Sequence, residues 1–254
     1  MSLQEDFDRD GFVHVRGLFQ PDEVAALEAD FDRIVAQLVS SGEDVDATWD
    51  GDEAAKIAKA GDRILHTHNV QKYSRVWLNA FLNDRFLDVV EALIGPDIIL
   101  HHSKLFQKPA EAGSPFPMHQ DWPYFPTLKD SMIAGIVHVS RATDEMGCLR
   151  VYPGSHKLGR VEGADGRRQN DLIDSYPIEK ARIIEAEPGD VIFFHYFTLH
   201  GSMPNRSEAV RKTVLCQLYA GSDQVEPGNR HPDERMVLRG WNYHASRKAA
   251  GEAA

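Results

Sequence analysis

His119-Gln120-Asp121 sets an imidazole and a carboxylate two positions apart. On a strand, positions i and i+2 point to one face, so this spacing offers a metal two adjacent ligands. The triplet alone has little weight, because a chain this rich in histidine and aspartate holds roughly one by chance. A second triplet, His231-Pro232-Asp233, has a proline at its centre. It reads as a turn and as the background event.

The first triplet gains meaning from the residues after it. Glu187-Pro188-Gly189-Asp190 turns into Val191–His195, and His200-Gly201-Ser202 comes next. A polar turn, Pro204 to Ser207, then precedes Arg211. A hairpin centred on Asn205 and Arg206 sets His200 opposite Arg211, and opposed residues share a face. His195, five positions before His200, faces the other way in a regular strand and is assigned to packing. Two histidines and a carboxylate with open positions form the facial triad of non-haem Fe(II) oxygenases. The planar fork of a nearby arginine binds a carboxylate through two contacts. Here that carboxylate is the far end of 2-oxoglutarate, with Ser202 adding a hydrogen bond and one metal position left for O2.

These side chains need a scaffold. Pro21 with acids after it opens a helix whose apolar positions run from Leu27 to Leu38 and which stops before Gly42. A short strand over Phe12, Val13, Val15 and Leu18 precedes it. Asn83 caps a second helix that ends at Gly95. Beyond Gly95 the period becomes two. Strands are predicted over Ile98–Gln107, Met132–Ser140, Leu149–Tyr152, Arg182–Ala186, Val191–His195 and Thr213–Ala220. The fold class is mainly β with flanking α: a jelly-roll, cupin-like barrel with N-terminal helices packed on one face. One domain spans 1–254, helical to about 95, barrel over about 96–220 and an extension over 221–254. Residues 44–62 and 157–181 read as loops able to act as lids. The loop basics Lys157, Arg160, Arg167 and Arg168 are mixed with acids and read as solvated. His66, His68, His101, His102 and His138 read as polar residues within or beside a core. Some of them are expected to line a pocket, because His102 and Lys104 share a strand face.

Composition narrows the function. A net charge of -11 disfavours binding to nucleic acid or to an anionic membrane surface. No apolar run reaches the roughly 20 residues of a membrane span. With Cys148 and Cys216 as the only cysteines, a disulfide scaffold is excluded and a reducing cytoplasm is expected.

The chain resembles the phytanoyl-CoA dioxygenase family of Fe(II)/2-oxoglutarate oxygenases. The matching text is Met118-His-Gln-Asp-Trp-Pro-Tyr-Phe125, Gly147-Cys-Leu-Arg-Val-Tyr-Pro-Gly-Ser-His156, Pro188-Gly-Asp-Val-Ile-Phe-Phe-His195, His200-Gly-Ser202, Asn205 and Arg211, opened by Asp10-Gly-Phe-Val-His-Val-Arg-Gly17. The resemblance implies a double-stranded β-helix and Fe(II) held by His119, Asp121 and His200. It further implies 2-oxoglutarate anchored by Arg211 and Ser202, with Lys104 and Gln107 on the strand that also touches it. Some relatives carry a tryptophan where Val137 is placed, and the segment between Pro109 and His119 is shorter than in the phytanoyl-CoA enzyme. Asp121 is present, whereas related halogenases have a small residue there. The expected function is hydroxylation of a small metabolite with release of succinate and CO2. The alternatives are a metal-binding jelly roll without oxygenase activity, holding zinc for example, and a non-catalytic binding protein.

Overall fold

The change of period at Gly95 is the passage from helices to sheet in the computed structural model, which describes residues 2–42, 46–47, 52–167, 174–228 and 231–245. Before Gly95, helices α1 (Leu3–Asp10), α2 (Pro21–Ser41), α3 (Asp52–Ile57), α4 (Arg75–Phe81) and α5 (Asp84–Ile94) alternate with short strands β1 (Phe12–Val15), β2 (Asp46–Ala47) and β3 (Ile64–His68). After it come β4 (Ile98–Lys108), β5 (Phe116–His119), β6 (Ile133–His138), β7 (Leu149–Val151) and β8 (Arg182–Ile184). The remaining strands are β9 (Val191–His195), β10 (His200–Ser202), β11 (Arg211–Ala220) and β12 (Met236–Arg239). The cap signals act as read. Pro21 opens α2, Gly42 ends it in the left-handed region at φ 74, and the Asn83 side chain accepts the Arg85 N–H at the start of α5.

The strands form two antiparallel sheets that face each other as a jelly roll. The larger runs β1-β9-β6-β11-β4-β3-β2 with β12 also on β4, and the smaller runs β5-β10-β7-β8. Alternation gives the larger sheet two apolar faces. Phe193, Val214 and Cys216 point outward, against Phe31, Phe81 and Phe86 of the helices. Ile192, Phe194 and Ala134 point inward, against Leu149, Val151 and Ile184 of the smaller sheet. Phe86 is fully buried, and emptying its site costs about 3–5 kcal/mol.

Several elements depart from the expectation. β3 reads Ile-Leu-His-Thr-His and has no apolar alternation to announce it, yet it pairs with β4. β1 and β12 join the larger sheet too, so that sheet draws on residues outside 96–220. Of the two expected lids, residues 44–45, 48–51 and 168–173 lie outside the described residues. In β4 one residue is extra: Gln217 faces His102 and Leu218 faces Leu100, which leaves His101 as a bulge. Before the bulge, Ile98 and Leu100 belong to the helix-side core; after it, Leu105 does, while Lys104 and Phe106 point inward. Among the described residues no helix is long and apolar enough to cross a membrane.

Candidate active site

His119, at the end of β5, is the ladder partner of His200, at the start of β10. Their rings lie 4.2 Å apart between centroids. Asp121 is not on the strand with His119; it sits in the bend just beyond, its N–H donating to Tyr196 O at 2.9 Å. Its Oδ1 lies 3.5 Å from His119 Nε2 and 3.7 Å from His200 Nε2. Ligand atoms of the three residues all fall within 4.8 Å of one another. The fully buried Gln120 holds this bend. Its amide donates to Phe197 O at 2.7 Å and Gly159 O at 3.0 Å, and its oxygen accepts from Trp122 Nε1 at 2.8 Å. Gly166 packs over the site at φ +70, where an added Cβ would lie 3.0 Å from His119 Cβ.

The polar contacts suit a divalent ion. Nδ1 of His119 donates to Pro117 O at 2.7 Å and Nδ1 of His200 to Thr198 O at 2.9 Å. Both Nε2 lone pairs are thereby left for a ligand, the usual way a second hydrogen bond fixes a metal-binding tautomer. Burial lowers the His200 pKa to about 4, so its imidazole is neutral. Burial alone would raise Asp121, but His200, His119 and a 2.7 Å hydrogen bond from Gln217 Nε2 to Oδ2 bring it down to about 2. Two imidazole nitrogens and one carboxylate match Fe(II) with open positions.

A cavity of about 310 Å³ opens beside the triad. At one end, Arg211 of β11 pairs with Lys108 of β4. The expected hairpin is absent: β10 pairs with β5 and β7, whereas β11 pairs with β4 and β6. His200 and Arg211 therefore belong to different sheets, and the chain between them crosses over. Asn205 pins that crossing, its amide donating to Pro109 O at 3.0 Å and Ala209 O at 2.8 Å. Lys108 Nζ donates to Ser202 Oγ and Met203 O, each at 2.7 Å. Arg211 donates to Gly147 O, and its Nε is buried without a partner. Burial pushes Arg211 down to about 10, and burial with Arg211 nearby pushes Lys108 well below the usual lysine range. A buried guanidinium beside a buried amine, with no acid bonded to either among the described residues, is a seat for an anion, whose arrival would favour the charged form of both. That seat fits the far carboxylate of 2-oxoglutarate.

β4 places one of its two expected contacts, Lys104, in the cavity lining and the other, Gln107, outside it. Strand alternation turns Gln107 away from the cavity, while the fully buried Lys108 reaches from behind the wall to Ser202, which lines it. Lys104 lies four residues of strand, roughly 13 Å, from Lys108, on the side of Asp121. Lys108 has no mark in the sequence beyond its spacing from Lys104. Likewise Ile136 lines the cavity, whereas Val137 packs under the helices.

The other end of the cavity is walled by imidazoles. His231 stacks on His102 at 5.4 Å and on His68 at 5.7 Å between centroids. The triplet that reads as background in the sequence thus supplies a wall residue, while Asp233 turns to Tyr219 at 2.9 Å. The bulge brings His101 and His102 together, with Nδ1 atoms 2.5 Å apart. Burial lowers His68 to about 4 and His101 to about 3, and holds His102 well below the usual histidine range, so these rings are neutral. Tyr124, Phe125 and Arg167 complete this end, so Arg167 is not simply solvated; Trp122 is not part of the lining. Arg160 is held by Asp130 and Glu226, and His195 by Asp130 O at 2.9 Å, both away from the chemistry.

Comparison with known proteins agrees with this geometry. The family model described as phytanoyl-CoA dioxygenase (PhyH) matches residues 7–213. The peroxisomal phytanoyl-CoA dioxygenase of Rattus norvegicus is 29% identical over 236 residues, 85% of this chain and 67% of the rat protein. A probable alpha-ketoglutarate-dependent hypophosphite dioxygenase of Stutzerimonas stutzeri is 24% identical over 91% of this chain and 82% of its own length. The solved structure of the epimerase SnoN with Fe3+, alpha ketoglutarate and nogalamycin RO superposes with a TM-score of 0.73 at 19% identity, covering 93% of this chain and 97% of SnoN.

Proposed function

The chain belongs to the phytanoyl-CoA dioxygenase (PhyH) family, and from that premise we propose that it is an Fe(II)- and 2-oxoglutarate-dependent dioxygenase hydroxylating a small organic metabolite. Bound iron, dioxygen and 2-oxoglutarate supply the oxidising chemistry, with succinate and CO2 as the coproducts. His119 Nε2, Asp121 and His200 Nε2 are the residues that hold the metal. Gln217 fixes the Asp121 carboxylate from behind, and the carbonyls of Pro117 and Thr198 fix the two rings. Arg211 and Lys108 grip the far carboxylate of the cosubstrate, and Ser202 steers the Lys108 ammonium. Holding the diacid at that end orients its reactive end at the triad, which is a large part of what a positioned site contributes.

The observation that carries this reading is the Arg211–Lys108 pair. A jelly roll that only holds a metal has no need for a buried basic pair facing no acid. A cavity of about 310 Å³ is at the small end for ligand sites, so it suits a compact substrate and does not enclose a coenzyme A thioester. The buried free cysteines Cys148 and Cys216 suit a reducing compartment such as the cytoplasm. The test is anaerobic calorimetry with Fe(II) and 2-oxoglutarate, then a substrate screen scored by succinate. Tight, metal-dependent binding of 2-oxoglutarate that Arg211→Ala removes is expected. Wild-type protein that takes up neither ligand would overturn the reading.

A further inference from the structure

His138, the last residue of β6, is a polar group that the mechanism above does not use. β6 lies between β9 and β11 in the larger sheet, and its ladder sets His138 opposite Thr213 of β11. Opposed residues share a face, and two positions back along β11 the same face carries Arg211. All three side chains line the cavity. The backbone around His138 is fixed: its N–H donates to Asp190 O at 3.0 Å and its carbonyl accepts from Gly189 N at 2.9 Å. The ring is not fixed in the same way. His138 is 2% exposed, and its Nδ1 is buried without a hydrogen-bond partner. The nearest acid does not serve it, because the Asp190 carboxylate is engaged by His14 at 2.8 Å and by the N–H groups of Gly17 and Glu187 at 2.8 and 3.0 Å. Burial first and Arg211 second lower the His138 pKa to about 3, so the imidazole is neutral and the guanidinium is close.

A buried imidazole without a partner, beside a buried guanidinium, is unfavourable unless a ligand uses both. The group that reaches Arg211 is the far carboxylate of the cosubstrate. A carboxylate has about four acceptor positions, so it accepts from a third residue without releasing the first two. Nδ1 lies on the backbone side of the ring, which leaves Nε2 as the nitrogen that extends farther into the cavity. Resting on the oxygenase reading, we propose that His138 is a third anchor of the 2-oxoglutarate seat, its Nε2 donating from β6 to the far carboxylate that Arg211 holds. An arriving carboxylate selects the form of the ring with its proton on Nε2. Arg211 and Lys108 hold the carboxylate from β11 and β4, and His138 closes the seat from the next strand. Three adjacent strands of one sheet then stop the diacid from swinging, which keeps its reactive end at the triad.

The test compares two keto acids on the whole, Fe(II)-loaded protein by anaerobic calorimetry. 2-Oxopentanoate has the chain and the metal-binding end of 2-oxoglutarate but a methyl group in place of the far carboxylate. His138→Phe keeps a flat ring and removes the donor. It is expected to weaken 2-oxoglutarate roughly tenfold, the scale of one lost hydrogen bond to a charged group, while 2-oxopentanoate changes less than twofold. His138→Gln, which restores an N–H donor, is expected to recover most of that loss. A His138→Phe variant that binds 2-oxoglutarate as tightly as wild type would overturn the proposal. So would an equal loss for both keto acids, because the ring would then act through the packing of β6 and not on the carboxylate. Failure of wild type to bind 2-oxoglutarate at all is a separate result and removes the oxygenase reading itself.

Discussion

The cavity has two ends, and the triad lies between them. At the Arg211 end, two basic groups on neighbouring strands are locked by Ser202, Met203 O and Gly147 O. At the His102 end, stacked neutral rings from β3, β4 and the segment at His231 form the wall, with Lys104 between them and Asp121 of the triad. The first end has directional donors and suits one ligand of fixed shape. The second has flat ring surfaces, which constrain the outline of a ligand less. Rigid directional contacts serve a cosubstrate; a stacked wall serves the molecule being changed.

The sharpest way to break this comparison is to remove what lies between the ends. His119→Ala or Asp121→Ala is expected to lower succinate formation more than 1,000-fold, an order of magnitude typical of removing an essential catalytic group, and to weaken Fe(II) uptake in equilibrium dialysis. Unchanged iron uptake would mean the triad is misassigned. Next, Arg211→Ala is expected to raise the dissociation constant for 2-oxoglutarate by roughly 100-fold, about 3 kcal/mol, in the range for losing a buried charge partner. Iron binding should change little, and an equal loss of both would move Arg211 out of the clamp. Gln217→Leu should cost roughly tenfold in metal affinity, the usual scale for a group that orients a ligand from behind.

The smallest effect belongs to Gln107→Ala, whose side chain alternates away from the cavity. It should change 2-oxoglutarate affinity less than twofold, and a larger loss would reopen the register of β4.

Legibility in the sequence tracks how local each signal is. His119, Asp121, His200, Ser202 and Arg211 sit in short motifs next to turns, and all five line the same cavity. The helix caps at Pro21 and Asn83 are equally local and equally readable. The hairpin expected between His200 and Arg211 does not form even so, because a turn between two strands does not reveal that the chain changes sheets there. Lys108 escapes notice for a simpler reason: counting alternate positions along β4 depends on a register that only strand pairing fixes. The imidazole wall is the least legible part. β3 has no apolar alternation, Pro232 disguises the approach of His231, and the bulge at His101 breaks the count on which periodicity depends.

Because of that bulge, β4 is written in two frames. Up to Leu100 the even positions lie under the helices, and from His102 onward the even positions look inward. A homologue lacking the inserted residue would keep one frame throughout. An alignment without a gap at position 101 would then equate core residues with ligand-facing ones over half the strand, and substrate preferences transferred through it would come from the wrong side chains.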